Sequence, residues 1–242
     1  MTAVDGTLAP TRQPSLARPT ALALGSAAVV VLTAVSYLFL DRPLLKLALA
    51  LPSEVREAAS RIAALGDSGF WVPTVFVSWA LLAGLAYIGR SERLVAYAWV
   101  VLFTGMALAV SGLLVDLLKM LFGRFDPHFL VTDGAYGFAW LQTKMGMLSF
   151  PSGHASTAAA IATALSLVWP RARAALIAVG GTAVAARAAQ PAHFLSDVIA
   201  GAGLGVMSTL WIHALFERAG VDLGALPSGR LAIRDGDEPA RG

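Results

Sequence analysis

Unbroken apolar runs of bilayer length constrain this chain more than any other feature. Stretches at 20–40, 70–88, 94–118 and 194–216 are almost free of charge. An α-helix rises about 1.5 Å per residue and needs roughly 20 apolar residues to cross about 30 Å of hydrocarbon. Two shorter apolar stretches, 154–169 and 174–186, fall between the last two long ones. Only 14% of the residues are charged and 57% are hydrophobic, against about a quarter charged in an average soluble domain. Backbone polar groups in lipid must be satisfied within their own segment, so runs of this length are expected to be helical. The expected fold is all-α: an integral membrane bundle of six helices, formed as one domain over residues 20–216.

The flanks differ in character. Residues 1–19 hold Pro10, Pro14 and Pro19 with Arg12 and Arg18 and show no apolar periodicity, a composition expected of a flexible tail. Residues 217–242, rich in Gly, Pro, Asp and Arg, are expected to form a second tail. The run at 20–40 ends in Asp41-Arg42-Pro43 rather than at a small-residue cleavage site, so it reads as a retained span. Between 44 and 65, charged residues alternate with Val55, Ala58, Ala59 and Ile62 at helical spacing. That pattern fits an amphipathic helix at the membrane interface or a plain surface linker. Asp67-Ser68-Gly69 resembles a helix start before the second span. Cysteine is absent, which excludes disulfides, thiolate nucleophiles and cysteine-held metals. The net charge of +3 is spread over short connections, so no basic stripe for nucleic acid is present and no nucleic-acid partner is expected.

Six spans would put both tails on one side of the bilayer. That side would hold Arg12, Arg18, Arg90, Arg93, Arg171, Arg173, Arg218, Arg230, Arg234 and Arg241. The other would hold Arg42, Lys46, Arg56, Arg61, Lys119, Arg124, Lys144 and Arg187, some of which have a different use below. The positive-inside rule then places both tails in the cytoplasm. The long 119–153 connection and the 187–197 junction share the opposite face, the periplasmic side of a bacterial inner membrane.

Three clusters of chemically active residues fall at span ends on that face: Lys119 with Arg124 and Asp126; Ser152, Gly153 and His154; and Arg187, His193 and Asp197. A lone Lys or Arg at a helix end is ordinarily an interface anchor, and a lone His, such as His128 or His213, is ordinarily structural. Charged groups at membrane depth are costly, however, and their joint placement suggests a common site. His193 and Asp197 lie four apart and share a helix face, so the carboxylate can hold one imidazole nitrogen and leave the other free. Pro151-Ser152-Gly153 before the fourth span offers backbone N–H groups, a hydroxyl and a helix N-terminus to an anion. Arg provides a planar fork for phosphate oxygens and Lys a point charge. Two histidines with separate tasks suit phosphoryl transfer through a covalent intermediate. A metal held by His154, His193 and Asp197 is the competing reading, although three nearby cations would repel a divalent ion.

The clusters resemble the signature stretches of the type 2 phosphatidic acid phosphatase superfamily. Its pattern is Lys, six residues, Arg-Pro; then Pro-Ser-Gly-His; then Ser-Arg, five residues, His, three residues, Asp. Pro151-Ser152-Gly153-His154 matches in full, and Arg187, His193 and Asp197 match at the right gaps with Ala186 in place of Ser. The resemblance covers roughly residues 41–216. It implies a phosphatase of membrane lipids that uses no metal and no cofactor. His193 would be the nucleophile, Asp197 its orienting group and His154 the general acid. Lys119, Arg187, Ser152 and the Gly153 N–H would bind phosphate. The first stretch departs: six residues after Lys119 stands Asp126-Pro127. Either Arg124 reaches into the pocket in place of the missing cation, or the site is weakened by repulsion between carboxylate and phosphate. The implied substrates are a membrane phospholipid such as phosphatidic acid or phosphatidylglycerol phosphate, a polyprenyl diphosphate, lipid A, or a sphingoid phosphate. The residues between 129 and 150, with Tyr136, Phe138, Trp140 and Gln142, are expected to cap the pocket.

Overall fold

A computed structural model describes residues 19–224, except residue 145. Apart from Pro19 and residues 217–224, both expected tails lie outside the described residues. Helices occupy all six apolar stretches. Those within Thr20–Ala50, Ser53–Gly89, Glu92–Phe122 and Leu195–Arg218 are long and apolar enough to cross a membrane. The chain is thus an all-α, multi-pass membrane protein.

The first helix runs further than expected. α1 (Pro19–Val35) passes through a π-helical turn, Ser36–Leu40, directly into α2 (Asp41–Ala50). Pro43, the third residue of α2, does not stop it. A π-turn brings residues five apart together, and Ser36 Oγ donates to Asp41 Oδ1 at 3.1 Å. Asp41 therefore points into the protein and is buried, where the sequence had suggested a polar span end.

α3 (Ser53–Ala63) is the amphipathic helix. Its Ala59 and Ala63 pack on Ala186, while Arg61 and Glu57 pair on the exposed face at 2.7 Å. Asp67 starts α4 (Ser68–Gly89) as read from the sequence, accepting the Gly69 N–H at 2.9 Å. α5 (Glu92–Phe122) ends at Gly123, whose φ of +54° lies in the left-handed region that favours glycine. The short α6 (Pro127–Thr132) lies inside the long connection, followed by α7 (Gly153–Val168), α8 (Arg173–Ala188) and α9 (Leu195–Arg218).

The core lies between α5, α7 and α9, where Phe103, Val100 and Ala96 meet Ala164, Val168, Ile212 and Phe216. Leu24, Val30, Leu81 and Ile88 on α1 and α4 stay exposed, as lipid-facing residues would. Small residues bring α9 close to α7: a Cβ on Gly201 would stand 2.2 Å from the Ser152 carbonyl oxygen, and one on Gly205 equally close to that of Ser156. Close backbone approach of this kind is how membrane helices gain packing energy without a hydrophobic driving force. Here it also sets the start of α9 against the start of α7.

Candidate active site

The third cluster opens α9. Asp197 is the third residue of that helix, and its Oδ2 accepts the Phe194 N–H at 2.9 Å, closing the first turn. Its backbone carbonyl accepts the Ser152 N–H at 2.9 Å, joining the third cluster to the second. Ser152 is itself buried and caps α7, accepting the Ala155 N–H at a long 3.5 Å. His154 follows at the first turn of α7, partly buried, with Arg187, His193, Lys119 and Asp67 as its charged neighbours. Lys119 stands in the last turn of α5 and Arg187 in the last turn of α8. Arg187 Nη1 donates to Gln190 Oε1 at 2.5 Å, and its Nε finds no partner among the described residues.

His193 and Asp197 share a face at ion-pair distance, with Nδ1 and Oδ2 3.7 Å apart, too far for a direct hydrogen bond. Ser149 stands between them. Its hydroxyl donates to Asp197 Oδ2 at 2.7 Å, and its oxygen lies 3.3 Å from His193 Nδ1. Since the Ser149 proton is committed to the carboxylate, the oxygen accepts from Nδ1–H. That tautomer leaves Nε2 unprotonated, with a lone pair. The His193 side chain is 10% exposed, whereas Asp197 is fully buried.

Arg124 is placed otherwise than expected of a phosphate ligand. Its side chain is completely buried between two carboxylates. Nη1 donates to Asp197 Oδ1 and, at 2.6 Å, to Ser196 Oγ; Nη2 donates to Asp41 Oδ2 at 2.6 Å. Aromatic rings enclose it, with Phe194 4.5 Å and Tyr37 5.1 Å from the guanidinium carbon. Burial works against its charge, but Asp197 and Asp41 more than offset that and raise its pKa above the usual arginine value. Both terminal nitrogens are thus occupied by protein. Asp126 stands at the N-cap position of α6, without a side-chain capping bond, and is half-buried. Burial, helped by Asp197, raises its carboxyl pKa despite His193 and Lys119 nearby.

The 123–149 connection is tied down along its length. Its backbone pairs Ala139 N with Gly123 O at 2.9 Å, Asp126 N with Gly146 O at 2.9 Å and Ser149 N with Arg124 O at 3.1 Å. The rings of Phe122, Phe138, Trp140 and Phe150 pack against one another in tilted and edge-on contacts. This packing carries Ser149 to His193 and Asp197.

Comparison with known proteins bears on the family. The PAP2 superfamily matches residues 98–220. A lipid A 1-phosphatase of Rhizobium johnstonii is 32% identical over 182 residues, 74% of this chain and 75% of the relative. One from Rhizobium etli is 31% identical over 182 residues, 74% of this chain and 78% of its own. The crystal structure of a PAP2-type phosphatidylglycerolphosphate phosphatase from Bacillus subtilis shares the fold, with a TM-score of 0.50 at 20% identity over 84% of this chain and 98% of that one.

The chain belongs to the PAP2 superfamily.

It is accordingly a membrane phosphatase of the PAP2 type. Measured against the PAP2 pattern, Asp126 replaces the arginine of the first stretch, and the arginine two positions earlier is turned into the protein. Sequence reasoning missed Ser149, Ser196 and Asp41. Ser149 immediately precedes Phe150-Pro151-Ser152, and that proximity is the only sequence signal it carries. Asp41 was visible as a charge at the end of an apolar run, but nothing in the sequence said that it faced inward. Among the described residues, no group of three or more His, Cys, Asp or Glu side chains is arranged to hold a metal ion.

Proposed function

We propose that this PAP2 phosphatase hydrolyses a phosphomonoester on a membrane lipid through a phosphohistidine, with the 1-phosphate of lipid A as the leading substrate. The observation that carries the mechanism is the His193–Ser149–Asp197 relay, which leaves Nε2 of His193 as the free nucleophilic atom. Nε2 would attack phosphorus as the P–O bond to the lipid breaks, and the leaving oxygen would take a proton from His154. In the second step His154 would accept a proton from water. The resulting hydroxide oxygen would attack phosphorus, the P–N bond would break, and its electron pair would return to Nε2. Lys119, Arg187 and the N-terminus of α7 at Ser152 and Gly153 would hold the phosphoryl oxygens. Arg124 would act through Asp197 rather than on the phosphate.

The substrate assignment rests on the two Rhizobium relatives, which are lipid A 1-phosphatases. Lys119 and Arg187 supply the positive charge that a divalent ion supplies elsewhere, so turnover is proposed to be metal-independent. The six-span layout with both tails in the cytoplasm would open the site on the outer face of the inner membrane.

Purified protein in detergent should release phosphate from lipid A, more slowly from phosphatidic acid, and equally with or without excess chelator. A preference for phosphatidic acid or a prenyl diphosphate would overturn the substrate. Loss of activity with chelator, restored by one divalent ion, would overturn the metal-free mechanism.

A further inference from the structure

The buried charge cluster extends beyond the PAP2 match, which begins at residue 98. Asp41 opens α2, directly after the π-turn of the first helix. Its Oδ1 accepts the Ser196 N–H at 2.9 Å, and its Oδ2 accepts the Ser196 hydroxyl at 2.6 Å and Arg124 Nη2 at 2.6 Å. Ser196 Oγ in turn accepts from Arg124 Nη1 at 2.6 Å. The first turn of α9, which carries Asp197, is therefore gripped from the first helix on one side and by Arg124 on the other.

The charges do not balance. One guanidinium serves two fully buried carboxylates, leaving one excess negative charge where screening is poor. If Arg124 paired with Asp197 alone, it would neutralise the carboxylate that faces His193 through Ser149. Shared with Asp41, it leaves Asp197 able to support the positive charge that the His193 ring gains on phosphorylation. We propose that Asp41 is a positioning residue for Asp197, acting through Arg124 and Ser196, and that the first membrane helix is thereby part of the catalytic machinery. This inference rests on the reading of His193 as the nucleophile.

The test is a cycle of Asp41→Asn and Arg124→Met in full-length, detergent-purified protein, scored by kcat and KM on lipid A and by monodispersity. Asp41→Asn is close in shape and keeps Arg124 paired with Asp197. Its kcat should fall roughly 10- to 100-fold, the effect of losing one charge-assisted hydrogen bond, with KM within about threefold because Asp41 meets no substrate. In the Arg124→Met background the sign should reverse. There Asp41→Asn removes one of two unpaired buried carboxylates, so kcat and folded yield should both rise. A residue with a merely structural role would lower folded yield in Asp41→Asn while leaving the kcat of the monodisperse fraction near wild type.

Wild-type kcat in Asp41→Asn, or a further loss on adding it to Arg124→Met, overturns the proposal. Should Asp41→Asn fail to fold, the comparison of Arg124→Met with the double variant still decides by its sign. A wild-type protein that releases phosphate from no lipid would refute the proposed function itself, whereas an active wild type with an unaffected Asp41→Asn refutes only this inference.

Discussion

Replacing Ser149 with alanine would remove the hydroxyl that bridges His193 and Asp197. The hydroxyl lies 2.7 Å from Asp197 Oδ2 and 3.3 Å from His193 Nδ1, and without it the two side chains face each other at 3.7 Å. That gap is beyond hydrogen-bond range. The imidazole then loses the acceptor that holds Nδ1–H and selects the nucleophilic tautomer. A hydrogen bond to a group that becomes charged is worth about 1.5–3 kcal/mol, and each 1.36 kcal/mol is a factor of ten in rate. Ser149→Ala should therefore lower kcat by about 10- to 150-fold, with little change in KM. Ser149→Thr, which keeps the hydroxyl, should retain most of the activity. The assay is initial-rate phosphate release from lipid A in detergent micelles, on variants of equal monodispersity. A Ser149→Ala kcat within threefold of wild type would show that His193 needs no bridge, and the relay would be wrong.

Further outcomes follow from the same geometry. Arg124→Ala strips the shared cation from two fully buried carboxylates, which should cost about 3–5 kcal/mol and be visible as a lower melting temperature in detergent together with lost turnover; an active, equally stable variant would refute the buried pairing. Gly201→Ala would press a methyl group 2.2 Å from the Ser152 carbonyl oxygen, so it should destabilise by about 1–3 kcal/mol and reduce activity by separating α9 from α7, as read by thermal denaturation alongside kcat. For orientation, a cysteine introduced at Phe129 should react with an impermeant reagent in intact cells while one at Ser91 should not; the reverse labelling would put the site in the cytoplasm.

Helix placement was legible because hydropathy in a bilayer depends on local composition, and the Asp67 cap and the amphipathic face of α3 follow from local rules. The pairing of His193 with Asp197 on one face was legible from an i, i+4 spacing. What stayed hidden is non-local. Asp41 bonds Ser196 across 155 positions and Arg124 across 83, and no periodicity carries such a relation. Its inward direction comes from a π-turn that the sequence does not announce. Arg124 was expected on phosphate, in one of two readings, as a stand-in for the arginine that Asp126 replaces. Yet Gly123 reverses the chain just before it, and the two carboxylates compete for its guanidinium. Ser149 sits in an irregular connection, where neither helical nor strand periodicity assigns a side-chain direction.

The central claim is that phosphate passes through His193, and rapid quenching tests it most directly. Enzyme mixed with lipid A labelled at its 1-phosphate should be stopped within the first turnover under alkaline conditions that preserve phosphohistidine, then digested and mapped. The label should appear on the peptide carrying His193 and be absent from His193→Ala, whose turnover should also be lost. Label on another residue, or steady turnover with no phosphoenzyme at any quench time, would contradict the account.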